Sequence, residues 1–193
     1  MNTSRESFAR AASTGFFTSA RTRRLAALLF FSAATAVAAK VALPLPGTPV
    51  PFTFQPLVVL LAGGLLGARF GAASQAVYLL AGAAGLPVFA AGGGAAYLLG
   101  PTGGYLVSYP VAAWVVGWIC ATAPGTSRAL AGTLAGLAVI YLGGASWLAA
   151  TGLPGRALAT GVLPFLLADL VKALLAALAT SRLRSRTSAW LGG

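Results

Sequence analysis

Apolar residues dominate the chain from Leu25 onward, and Pro, Gly and Arg cut them into runs that approach membrane-spanning length. Leu25 to Leu43 is the first run. It ends at the series Pro44, Pro46, Pro49 and Pro51, which cannot continue a helix and reads as a rigid connection. A second run, Pro56 to Gly67, is separated from a third, Ala72 to Leu86, by Ala68-Arg69-Phe70-Gly71. Pro87 and the Gly92-Gly93-Gly94 triplet then open another long connection. Further runs cover about Tyr105 to Ala121, with Pro110 inside, then Ala129 to Ala150 and Gly161 to Thr180. The pattern predicts an all-α integral membrane protein of six transmembrane helices. It consists of one membrane domain over 25–182 between basic cytoplasmic tails, 1–24 and 183–193.

Composition agrees. Hydrophobic residues make up 58% of the 193 positions and charged residues only 8%, too few to clothe a water-soluble domain. No fixed-period repeat is present. The abundance of Gly and Ala suits helices that approach closely in lipid, where small side chains take the place of a hydrophobic driving force. Because the first apolar run lacks a persuasive small-residue cleavage site, it reads as a membrane helix, not a secretory signal.

The formal charge of +11 arises from 13 Lys and Arg against Glu6 and Asp169. Position decides what it means. Arg5, Arg10, Arg21, Arg23 and Arg24 precede the first run, and Arg182, Arg184 and Arg186 follow the last, as topology signals do; nucleic-acid binding is the weaker reading. Six spans place both termini on the cytoplasmic side together with Arg69 and Arg128, leaving Arg156 and the border residue Lys40 outside. The long proline and glycine loops then lie on the outer face.

Several chemistries are excluded by what the chain lacks. With no His and the single Cys120, it has neither an intrachain disulfide nor a Cys/His metal site, and a Ser-His dyad or a second membrane Asp is missing. The chain is therefore not read as an enzyme, and no cofactor is expected. GxxxxGK[ST] occurs nowhere, so ATP is not hydrolysed by a P-loop here.

Asp169 is the one acidic residue beyond the N-terminal tail, and Lys172 follows three positions later, on the same helix face. Each charge in a spanning helix costs roughly 2.5 to 3.5 kcal/mol on insertion scales, so the pair is expected to line a cavity or a helix interface. A self-contained ion pair that only pins its helix is the plainer alternative. Counted from Pro164, Asp169 lies about 7.5 Å into the span, near the outer side where the long loops converge. A carboxylate accepting N–H groups beside an ammonium donating to an acceptor can grip an amide or urea. Phe52, Phe54, Phe89, Tyr97, Tyr105 and Trp147 are available to hold an apolar body.

Two loop segments stand out. In Pro49-Val50-Pro51-Phe52-Thr53-Phe54-Gln55, Thr53 and Gln55 can supply polar contacts over a cavity, although the same prolines equally make a simple turn. In Gly100-Pro101-Thr102-Gly103-Gly104-Tyr105, Thr102 can cap the next helix and the glycines allow close backbone approach. Ala34, Ala38 and Ala42 form a small-residue stripe suited to docking another helix, a weak signal in so Ala-rich a chain.

Taken in order, the proline loop, LxGxxLG (61–67), GLPVF (85–89), GPTGGY (100–105) and DxxK (169–172) resemble the BioY family, the biotin-specific substrate-binding (S) components of energy-coupling factor (ECF) transporters. The likeness is close over about residues 41–122, with the last helix added, and weaker in the N-terminal tail and the fifth helix. It implies a six-helix subunit of the bacterial cell membrane. This subunit binds biotin from outside and delivers it inward with a transmembrane coupling subunit and two cytoplasmic ATPases, toppling in the bilayer to do so. By the same resemblance Asp169 and Lys172 belong to the biotin pocket, with Thr53, Gln55 and Tyr105 in its loop motifs. The stripe Ala34, Ala38 and Ala42 would touch the coupling subunit. Biotin presents two N–H donors and a carbonyl on its ureido ring, an apolar thioether ring and chain, and a terminal carboxylate. The ureido N–H groups are assigned to Asp169. A self-sufficient ion-coupled carrier, with Asp169 as its titrating group, and a ligand-free scaffold remain the competing readings; homo-oligomers are compatible with all three.

Overall fold

The computed structural model describes residues 19–192, so Arg5, Arg10 and Glu6 of the basic tail lie outside the described residues. Among the described residues the fold is all-helical. It comprises α1 (Ala20–Lys40), α2 (Gln55–Ala83), a 3-10 turn (Ala95–Leu99), α3 (Gly103–Thr122), α4 (Thr126–Ala150), a short α5 (Ala157–Gly161) and α6 (Leu166–Leu191). Helices α1 to α4 are long and apolar enough to cross a membrane. Asp169, Lys172 and Arg182 interrupt the apolar character of α6.

Ser19 starts α1 by accepting the Thr22 backbone N–H at 3.1 Å, which satisfies one of the orphan donors of the first turn. The buried face of this helix is Leu28, Ser32, Thr35 and Ala39, spaced three and four residues apart. Thr35 Oγ1 meets Gln75 Oε1 at 3.2 Å, and Gln75 in turn donates to Ser74 at 3.1 Å. The three side chains are fully buried, and together they fix the register of α1 on α2.

Helix α2 is where the second and third sequence runs meet, and the boundary differs from the expected one. Ala68-Arg69-Phe70-Gly71 is helical, and the break falls at Gly67 (φ 79°, ψ 175°), a conformation open essentially only to glycine. The chain doubles back there. A β-carbon placed on Gly71 would stand 2.8 Å from the Gly63 Cα, whereas a straight helix would separate these residues by about 12 Å. Likewise Gln55 Nε2 donates to the Tyr78 hydroxyl at 2.7 Å, across what would be about 35 Å of straight helix. The motif glycines of LxGxxLG thus serve a hairpin between 55–66 and 68–83.

The end of α6 braces that hairpin. A helix that stops at Gly67 leaves its last carbonyls without intrahelical partners. Arg184 donates to the Gly64 carbonyl at 2.6 Å and Thr187 to that of Leu65 at 3.3 Å. Arg24 of α1 donates to the carbonyls of Leu191 and Gly192, each at 2.9 Å. The last helix therefore does not stop at Thr180, because residues 181–191 have partners on α1 and α2 that reward continuing the helix. It also begins later than expected, at Leu166, with α5 occupying the connection before it.

These contacts set out the ends of the bundle. Both described termini, the Gly67 turn and the 123–125 connection lie at one end. Segments 41–54, 84–102 and 151–165 gather at the other, where the sequence-marked residues also lie.

Candidate functional site

The site forms where the gathered loops meet the start of α6. Phe165 N-caps this helix, placing Asp169 in its first turn, where the positive end of the helix dipole favours a carboxylate. Lys172 Nζ lies 2.6 Å from Asp169 Oδ1, with both residues only 4% exposed. The ammonium donates further to the Thr53 backbone carbonyl at 2.7 Å and stands 3.7 Å from the centre of the Phe52 ring. Its three donor directions are thereby committed. Asp169 has spare capacity: Oδ2 accepts the Tyr141 hydroxyl at 2.8 Å, and of roughly four lone-pair positions on a carboxylate two remain for a ligand.

All five residues expected at the site, Asp169, Lys172, Thr53, Gln55 and Tyr105, line one cavity. Their roles differ from one another. Thr53 offers its carbonyl to Lys172, while its hydroxyl accepts the Gln55 backbone N–H at 3.3 Å and holds the loop against the start of α2. Gln55 is tied to Tyr78, whose hydroxyl reaches the Val88 carbonyl at 3.3 Å, so this chain of bonds joins the proline loop to the 84–102 connection. Tyr105 packs its ring on Gly144 and donates its hydroxyl to the Gly161 carbonyl at 2.7 Å; a side chain at either glycine would collide with it. Tyr105 presents the cavity with the wall of its ring.

Of the aromatic residues considered from sequence, Phe52, Tyr97 and Tyr105 line the cavity, and Phe54, Phe89 and Trp147 do not. Phe89 is fully buried against Tyr78 and Tyr97, and the Trp147 indole N–H donates to the Gly100 carbonyl at 2.9 Å. The alanine stripe is not a single exposed face: Ala38 is 7% exposed, Ala34 is half-buried, and Ala42 lies beyond the end of α1. Lys40 was expected only as a border residue. It holds the glycine-rich connection by donating to the Phe89 carbonyl at 2.7 Å.

Sequence reasoning missed Tyr109 and Tyr141. Tyr109 sits one turn after Tyr105 on the same face of α3, a spacing that could have found it. Its side chain is 4% exposed, it lines the cavity, and no described residue hydrogen-bonds its hydroxyl. Tyr141 has no local signal, because only the packing of α4 on α6 brings it to Asp169. Leu106, Ile140 and Phe165 complete an apolar wall. The cavity is narrow, with a volume of about 50 Å³. Chemically it offers one anchored anion, the unpartnered hydroxyls of Tyr97, Thr102 and Tyr109 and an aromatic box, and no group of His, Cys, Asp or Glu among the described residues could hold a metal ion.

The sequence profile of the BioY family matches residues 9–189. The probable biotin transporter BioY of Pyrococcus horikoshii is 40% identical over 168 residues, covering 86% of this chain and 99% of that protein. The biotin transporter BioY of Thermotoga maritima is 40% identical over 164 residues, 84% of this chain and 96% of its own. Among solved structures, the S-component for biotin from an ECF-type ABC transporter superposes with a TM-score of 0.76 at 28% identity, covering 86% of this chain and 92% of that one. These relatives are transporters, and the family profile spans the described bundle as far as residue 189. The chain is a multi-pass membrane protein and belongs to the BioY family.

Proposed function

We propose that this chain is the biotin-binding S component of an ECF-type transporter in a bacterial cell membrane, with Asp169 receiving the ureido N–H groups of biotin. The observation that carries this reading is the geometry at Asp169. A buried carboxylate is fixed by Lys172 and Tyr141, with two acceptor positions left over, at the polar end of an aromatic cavity. The free hydroxyl of Tyr109 donates to the ureido carbonyl, and the thioether ring packs on Tyr105, Leu106 and Phe165. Lys172, whose donors are already engaged, pairs with Asp169 and ties it to the proline loop through Thr53; Gln55 secures that loop to α2.

The chain crosses the membrane six times, the hairpin at Gly67 supplying the second and third crossings, and both termini are cytoplasmic. Arg21, Arg23, Arg24, Arg69, Arg128, Arg182, Arg184 and Arg186 belong to the end with the termini, against Lys40 and Arg156 at the site end, which supports this orientation. Lacking a P-loop, the chain takes its energy from cytoplasmic ATPases through a transmembrane coupling subunit. That subunit meets α1 where Leu25, Leu29, Ala33 and Val37 are exposed and Ala34 borders the contact.

The test is equilibrium biotin binding to the purified chain in detergent. The wild type binds, and Asp169→Asn loses about 1.5 to 3 kcal/mol, the range of a hydrogen bond to a charged group. Undiminished binding by this variant would refute the assignment.

A further inference from the structure

The outer wall of the cavity is shared. Pro51, Ala90, Tyr97 and Thr102 line it and also line a second, roomier groove of about 460 Å³, which runs out between the proline loop and the glycine-rich connection. A tail that passes these four residues from a head held at Asp169 would lie along this groove. Ala42, Pro44, Pro49, Ala91, Gly100 and Pro101 supply the rest of the wall. Among the described residues no charged side chain lines it.

Nor do the neighbouring cations provide a carboxylate partner. Lys172 is spent at the far end of the cavity, and Lys40 donates to the Phe89 carbonyl and is not part of the groove wall. Successive backbone N–H groups at glycines can form an anion-binding concavity. Here the amides of Gly92 and Gly94 already donate to the carbonyls of Phe89 and Gly82, at 3.4 and 2.7 Å. A recognised carboxylate is ordinarily met by Arg, Lys or several N–H donors at once. The side chains of this groove offer only the hydroxyls of Tyr97 and Thr102 and no cation, so a tail carboxylate meets no opposite charge there and a neutral amide can take its place.

We infer that the substrate class of this site extends to biotin whose carboxyl group is condensed into a neutral amide, including biotin amide-linked to the side-chain amine of lysine. The inference rests on the proposed biotin site and concerns only the end of the ligand remote from Asp169. Specificity is set at the ureido head, and the open groove leaves the tail unread.

The experiment is a competition titration on the full-length purified chain in detergent, with labelled biotin displaced by biotin, biotinamide and biotinyl-lysine. The two amides are expected to bind within about threefold of biotin, whereas a recognised carboxylate would make them at least about tenfold weaker. That tenfold loss, with biotin itself bound, overturns the inference and leaves the biotin site standing; no binding of biotin overturns both. A second variant locates the tail. Ala91→Glu, an exposed position on the groove wall, should weaken biotin several-fold more than biotinamide through like-charge repulsion. Equal effects on the two ligands would show that the tail does not run through the groove.

Discussion

Replacing Lys172 by Met separates what the buried ion pair does for the fold from what it does for a ligand. The substitution nearly preserves side-chain length and removes the ammonium from three partners, Asp169 Oδ1 at 2.6 Å, the Thr53 carbonyl at 2.7 Å and the Phe52 ring at 3.7 Å. Asp169, only 4% exposed, is left with the Tyr141 hydroxyl alone. Breaking a buried pair from one side costs about 3–5 kcal/mol, because the remaining charge stays uncompensated. The double variant Asp169→Asn with Lys172→Met carries no orphan charge. Its residual cost is that of an unsatisfied Thr53 carbonyl, about 1–3 kcal/mol. Thermal unfolding of the three proteins in detergent should therefore rank wild type, double variant, then Lys172→Met, with the double variant about 2 kcal/mol more stable than Lys172→Met. Biotin binding should follow a different order, since both variants lack the anchored carboxylate. If Lys172→Met is as stable as the wild type, the pair is not buried as described. If the double variant binds biotin like the wild type, the pair is structural only and the ligand reading fails.

Tyr109→Phe removes a buried, unpartnered hydroxyl of the cavity and should weaken biotin by about 0.5–1.5 kcal/mol. Against the analogue whose ureido oxygen is replaced by sulfur, a poor acceptor, the loss should vanish; an equal loss for both ligands in the binding assay would make Tyr109 a packing residue. Gly67→Ala forces a β-carbon into a conformation reserved for glycine and should cost about 1–3 kcal/mol in the unfolding assay. Arg184→Ala, which strips the brace from the Gly64 carbonyl, should destabilise in the same sense; a neutral result for both would mean that the hairpin is held elsewhere.

Much of the candidate site was legible because it is local. Asp169 and Lys172 share a helix face at a spacing of three, and their burial in an oil-like segment demands a partner or a purpose whatever the remaining fold. Thr53 and Gln55 stood out as the polar members of a proline-stiffened loop. The roles were not legible. Nothing in the spacing says that Thr53 contributes a carbonyl and not its hydroxyl, or that the Tyr105 hydroxyl is spent on Gly161.

The apolar runs, the Arg-rich flanks and the lone acidic residue of the spans determined a helical membrane protein with its charge at one end, since insertion energetics act residue by residue along the chain. Contacts between segments distant in sequence needed the tertiary structure. The break at Gly67 and not at 68–71, the continuation of α6 to brace it, the burial of Ala38 and the arrival of Tyr141 at Asp169 each depend on which helix packs against which. Close approach of backbones at glycine selects that packing, and a one-dimensional pattern of apolar positions carries no information about the neighbour a glycine will meet.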